Sequence, residues 1–109
     1  MHNSPFVALW EFHVKPESIV AFEEIYGPHG EWAQLFGQSP DYLGTELIRD
    51  LNQRGRYVTL DHWTSGEALQ SFKKEHQDAY SNLDKQCESL TDKEVFLGNF
   101  EQVALRSNT

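Results

Sequence analysis

Leu60 to Tyr80 reads LDHWTSGEALQSFKKEHQDAY, and within it a strand ends and a helix begins. Just upstream, Arg56 to Trp63 (RYVTLDHW) is rich in the β-branched and aromatic residues that fit a pleated, half-buried backbone. Thr64 then opens a T-x-x-E pattern with Glu67, a capping box in which each side chain answers an orphan amide of the first helical turn. Leu69, Phe72, His76, Ala79, Leu83 and Cys87 or Leu90 continue at intervals of three and four, with no Gly or Pro between Glu67 and Leu90. One long helix or two abutting ones are predicted there. Trp63 thus stands where the strand stops and His76 follows thirteen residues later. The pair either fills a small core or lines a cavity.

Working outward, Tyr42 to Asp50 (YLGTELIRD) is a second strand, joined to Arg56–Trp63 by LNQRG, whose Asn and Gly suit an antiparallel hairpin. Phe6 to Val14 (FVALWEFHV) alternates, with Phe6, Ala8, Trp10, Phe12 and Val14 on one side and Val7, Leu9, Glu11 and His13 on the other. Pro16 suits a first helical turn, and Ile19, Phe22, Ile25 and Tyr26 fall at helical spacing until Gly27-Pro28 ends the run. A second short stripe, Trp32, Leu35 and Phe36, lies between Gly30 and Gly37, so the first crossover is a helix with a break. Glu94 to Glu101 (EVFLGNFE) is the last strand.

The order β, α, β, β, α, β is the split arrangement of an α+β, ferredoxin-like fold: a four-stranded antiparallel sheet with its helices on one face. The other face then has no partner within the chain. If Trp10, Phe12 and their parity mates lie on that open side, the exposed apolar area exceeds what monomers tolerate, and a homodimer pairing sheet to sheet is expected.

The 109 residues suit one domain, 1–109 with a core of about 5–103. Nine Lys and Arg against 17 Asp and Glu leave a net charge of −8 with no basic cluster, which argues against nucleic acid and anionic membranes as partners. The longest apolar run, Phe6 to Trp10, is too short to span a bilayer and MHNSPF is not a leader, so a cytoplasmic protein is expected. The lone Cys87 has no disulfide or metal partner and reads as a buried structural thiol. Aromatic residues make up 13% of the chain, and rings in that number either fill a core or wall a cavity for a flat ligand.

His76 shares a helix face with Phe72, and its ordinary pKa near 6.5 suits a general base. The simpler alternative is a histidine bonded to a backbone carbonyl. His13 and His62 sit on strands and His29 in the helix break; no pair has metal-ligand spacing, so no metal is expected. Tyr57, Phe72, Tyr80 and Phe96 are candidates for a pocket wall, with a core role the simpler reading of each. Asp61 has the strand parity of Trp63 and either orients a base or, in the simpler reading, faces solvent. No Gly-rich phosphate loop or redox cysteine pair calls for a nucleotide, flavin or disulfide cofactor.

The segments VALWEFHVKP, FEEIYGPHGEW, PDYLGTELIRD, GRYVTLDHWTS, FKKEH and EVFLGNFE, in that order, resemble the antibiotic biosynthesis monooxygenase domain of dimeric α+β barrel fold over nearly the whole chain. The W-[TS]-S junction and the later His are the most recognisable parts. The resemblance implies that Trp63 faces a cavity between sheet and helices. Proteins on this scaffold include cofactor-free monooxygenases of electron-rich aromatics or quinols, haem-degrading oxygenases, and members with no known activity. Haem-degrading relatives carry an Asn on the first strand, and VALWEF has no amide. Polyketide-oxidising relatives carry an amide four residues before the tryptophan, where this chain has Thr59. The expected function is therefore oxidation of a small aromatic, phenolic or quinol substrate by O2 without a cofactor, with His76 as base, Trp63 holding the ring, and Tyr57, Thr59, Phe72, Tyr80 and Phe96 around it. The alternative is a dimer of the same fold that binds a small ligand, or serves as a scaffold, without turnover.

Overall fold

The computed structural model describes residues 5–103. Strands β2 (Tyr42–Arg49) and β3 (Arg56–Trp63) form the expected antiparallel hairpin. Its turn is held by Asp50, whose Oδ1 accepts from the backbone N–H of Asn52 at 2.7 Å and of Gln53 at 3.1 Å. The turn closes at Gly55, where φ is +88° and an added Cβ would lie 2.8 Å from the Val14 carbonyl oxygen, so only glycine fits. β1 (Phe6–Val14) pairs antiparallel with β3 on one side and with β4 (Thr91–Glu101) on the other. The sheet order is β2-β3-β1-β4, the ferredoxin-like arrangement. β4 begins three residues earlier than its apolar pattern suggests, because Thr91 still pairs with Val14.

The first crossover contains α1 (Ile19–Tyr26), entered through a 3-10 turn at Pro16–Ser18, and a short α2 (Glu31–Phe36). The second contains α3 (Gly66–Glu75) and α4 (Gln77–Cys87), which abut at His76. The helix cap differs from the sequence expectation by one residue. Ser65 Oγ, not Thr64, accepts from the N–H of Ala68 at 3.1 Å. Thr64 still belongs to the strand end: its N–H bonds to the Asp41 carbonyl at 2.9 Å and its hydroxyl to Asp41 Oδ1 at 3.1 Å. Ser65→Ala is therefore expected to cost about 1 kcal/mol and Thr64→Ala less, which thermal unfolding of the two variants would compare.

The even-numbered residues of β1 face the helices. Ala8, Phe12 and Val14 join Phe22, Tyr26, Trp32, Phe36, Tyr57, Trp63, Leu69, Phe72, Leu83 and Cys87 in one buried cluster. Phe22 stacks on Tyr26 at 4.2 Å between ring centroids, and Phe12 meets both rings at a tilt. Cys87 is buried and free, as its isolation in the sequence suggests. Trp10 and Phe12 are thus not on the open side of the sheet: Phe22 and Tyr26 of α1 cover Phe12, and Trp10 stacks on Phe96 of β4. The open side carries Val7, Leu9, Glu11 and His13 of β1 beside Val58, Leu60 and His62 of β3. Ile48 and Phe100 belong to the same face and remain 53% and 49% exposed. Several of its charged groups are mutually paired: Arg56 bonds Glu11 and Asp50, His13 bonds Glu11, and His62 bonds Glu46, while Lys93, opposite His13, stands exposed at the edge of the same face. Among the described residues no helix is long and apolar enough to cross a membrane.

Candidate functional site

Side chains of β3 alternate, so Tyr57, Thr59, Asp61 and Trp63 all point toward the helices. What covers them differs along the strand. Phe22 lies over Tyr57, at 5.0 Å between centroids, while Phe36 and Phe72 close over Trp63, each at 5.5 Å. Between these two caps the helices leave a cavity of about 270 Å³ above Thr59 and Asp61. Its floor and walls are Trp10 and Phe12 from β1, Thr45 from β2, Tyr26 from α1, and Trp32 and Phe36 from α2. Lys73, Tyr80, Asp84 and Glu94 complete the lining.

Asp61 is the chemically distinctive group. Burial pushes its carboxyl up to about 6; a hydrogen bond from Thr45 and the positive charges of His62 and Lys73 offset part of the rise. The Thr45 hydroxyl donates to Asp61 Oδ1 at 2.7 Å, which leaves its oxygen free to accept from the Tyr42 hydroxyl at 2.6 Å. The carboxylate is thereby aimed by a buried threonine that is itself fixed by a tyrosine. Removing the donor in Thr45→Val is expected to raise the Asp61 pKa by about a further unit, visible as a shifted carboxyl titration by NMR. Around the rim, burial raises the Glu94 carboxyl, with help from Asp84 and Glu88, and pushes the Tyr80 hydroxyl up to about 12.

Of the residues singled out from the sequence, Thr59 and Tyr80 line this cavity. Phe96 borders it indirectly, stacking on Trp10 at 4.9 Å while remaining half exposed. Tyr57 is packed under Phe22, and its hydroxyl donates to Glu23, away from the cavity. Trp63 is fully buried among Phe36, Tyr42 and Phe72, behind the cavity wall. Its indole N–H, like that of Trp32, is buried with no protein acceptor. Phe72 separates Trp63 from His76, whose ring stacks on its outer side at 4.3 Å. His76 lies at the α3–α4 junction with its Nδ1 3.3 Å from the Phe72 carbonyl oxygen, and it opens onto a different depression with Asp41, Thr64 and Glu75. The structure therefore does not bring His76 and Trp63 together on one void.

The parity of Asp61 with Trp63 put the two on one side of β3, but nothing local showed which side was covered or that space would remain above the carboxylate. Trp10, considered from the sequence for the open sheet face, and Trp32 and Phe36, read as an apolar helical stripe, were not singled out for the site; all three line the cavity while packing on the core. Among the described residues no group of three His, Cys, Asp or Glu side chains is placed to hold a metal ion.

Comparison with known proteins agrees with this architecture. The fold is shared with SnoaB, a cofactor-independent oxygenase from Streptomyces nogalater, at 16% identity and a TM-score of 0.70, over 97% of this chain and 100% of that one. It is shared with PA3566 from Pseudomonas aeruginosa at 14% identity and a TM-score of 0.66, over 95% and 99% of the two chains. A conserved protein from Methanosarcina mazei Go1 matches at 12% identity and a TM-score of 0.68, over 92% and 94%. No curated protein sequence gives a match. Residues 5–82 match the antibiotic biosynthesis monooxygenase family, and with the sheet order and the matched solved folds in agreement, the chain belongs to that family.

Proposed function

We propose that the protein is a cofactor-independent monooxygenase acting on a small phenol, quinol or related aromatic compound in the cavity above Asp61. The observation that carries this is a carboxylate with a pKa of about 6 set in an aromatic cavity, where it is ionised at neutral pH yet basic enough to accept a proton. A dry cavity of about 150 Å³ holds benzene. The cavity volume of about 270 Å³ therefore suits one or two fused rings, gripped by Trp10, Trp32 and Phe36.

In the proposed reaction Asp61 takes the hydroxyl proton, and the electron-rich anion passes one electron to O2. The resulting superoxide and substrate radical join through a new C–O bond, and the proton returns to give a hydroperoxide. Loss of the C–H proton at that carbon then drives O–O cleavage, leaving a carbonyl and water. Phenol plus O2 becomes quinone plus water, with one atom of the O2 in each product beside the phenolic oxygen the quinone keeps. The protein contributes the base, the orientation of the ring, and exclusion of water from the radical pair.

The base assigned from the sequence, His76, and Asp61 are separable by experiment. Oxygen uptake is measured over a panel of phenols and quinols with the wild type, His76→Ala and Asp61→Asn. Loss confined to Asp61→Asn supports the proposal; loss confined to His76→Ala restores the histidine. The rival is a ligand-binding protein without turnover, favoured if uptake stays at background while a thermal-shift screen finds a ligand. We assign the open sheet face to a second copy of the chain, because its apolar residues are contiguous and the charges at its centre are already paired, so self-association strands none of those. Sedimentation is expected to give a dimer at micromolar concentration, and a monomer would refute that assignment. With its one buried thiol the protein fits a reducing cytoplasm.

A further inference from the structure

We infer that Lys73 is the anion-stabilising group of the cavity, its ammonium holding the phenolate or enolate oxygen left when the substrate gives up its proton. This rests on the proposed oxygenase function and deepens it. Lys73 stands on α3 and lines the same cavity as Asp61 on β3. Its Nζ lies 5.4 Å from the centroid of the Tyr80 ring, folded over that ring at the cavity's edge. Three carboxyl groups share the lining, Asp61, Asp84 from α4 and Glu94 from β4, yet Lys73 forms no ion pair with any of them among the described residues. A cation seated on a tyrosine ring and acting on Asp61 through its field, without a salt bridge, can meet a charge that develops inside the cavity.

The chemistry requires such a group. A free phenol titrates near 10. The Asp61 carboxyl stands at about 6, so proton transfer to it is uphill by roughly four pH units without help. One positive charge about 5 Å from the phenolate oxygen, at an effective dielectric constant near 20, lowers the substrate's pKa by roughly two units. The same arrangement sets a substrate class. A compound that ionises at a single oxygen has a cation to meet, whereas one with a second, permanent negative charge also meets Asp61, Asp84 and Glu94. Tyr26 and Tyr80, which also line the cavity, keep neutral hydroxyls, since burial raises both.

The test uses 4-nitrophenol, whose phenolate is coloured, so its ionisation when bound is read by absorbance without any turnover. It is run on the full chain carrying Asp61→Asn, with and without Lys73→Met, so that only the cation differs. The expected result is a bound pKa higher by about two units in the Lys73→Met protein, with phenolate affinity down about a hundredfold and neutral phenol affinity within a few-fold. Lys73→Arg is expected to restore the lower pKa. Equal bound pKa values with and without Lys73 overturn this inference alone. Failure of the phenol to bind the wild type at all removes the phenol cavity and this inference together.

Discussion

Asp61→Asn is expected to give a protein that resists heat better than the wild type at neutral pH while losing oxygen uptake by about a hundredfold to ten-thousandfold. The two effects have one cause. In the unfolded chain an aspartate titrates near 3.9. In the folded chain burial raises Asp61 to about 6, so the native state holds its proton more tightly than the unfolded state does. Below about pH 4 both states are protonated and the group is neutral to stability. As pH rises toward 6 the unfolded state ionises first, stability falls, and above the folded pKa the full penalty of about 2 to 3 kcal/mol persists. Asparagine has the same shape, carries no charge and can keep the hydrogen bond from Thr45, so it removes the penalty together with the base. Calorimetry and oxygen-electrode traces of the same preparation would read both. A variant as active as the wild type would rule out Asp61 as base, and one less stable at neutral pH would refute the desolvation account.

Trp63→Ala is expected to cost about 3 to 5 kcal/mol, a large share of the 5 to 15 kcal/mol that holds a domain of this size together. The indole is wholly buried and in ring contact with Phe36, Tyr42 and Phe72, so truncation leaves a void that three aromatic neighbours fill poorly. Trp63→Phe is a sharper probe. It keeps an aromatic ring in place and removes the buried N–H that finds no acceptor, whose desolvation costs about 1 to 3 kcal/mol. Its net effect on stability is expected to be far smaller than that of alanine, with ligand affinity in the cavity nearly unchanged. If Trp63 instead held the ligand by its N–H, Trp63→Phe would lose binding while the melting temperature stayed in place. The melting curve and a ligand titration together distinguish the two.

Much of the fold was legible because its signals are local. Alternation in FVALWEFHV, the Asn and Gly of LNQRG, the Gly-Pro stop after Tyr26 and the apolar spacing from Leu69 onward each act within a few residues. They marked every strand and helix in the right order. The helix start was misplaced by one residue because Thr64 and Ser65 are both good caps. The choice between them fell to Asp41, which is distant in sequence and ties Thr64 down just past the end of β3. The site was less legible. Thr59 and Tyr80 were found, but Asp61 was passed over as a solvent-facing carboxylate, and His76 was grouped with Trp63 although Phe72 stands between them.

From the sequence alone came the α+β class, the order of strands and helices along the chain, and the shared parity of Asp61 and Trp63 on β3. Periodicity settles which way a side chain points, because it depends only on backbone geometry between near neighbours. Whether an inward side chain meets packing or empty space depends on the rings facing it, and these come from other crossovers. Phe22 closes one end of the row and Phe36 with Phe72 the other, leaving the gap over Thr59 and Asp61. Only the tertiary structure could decide that the aspartate, and not the tryptophan two residues on, has the cavity above it.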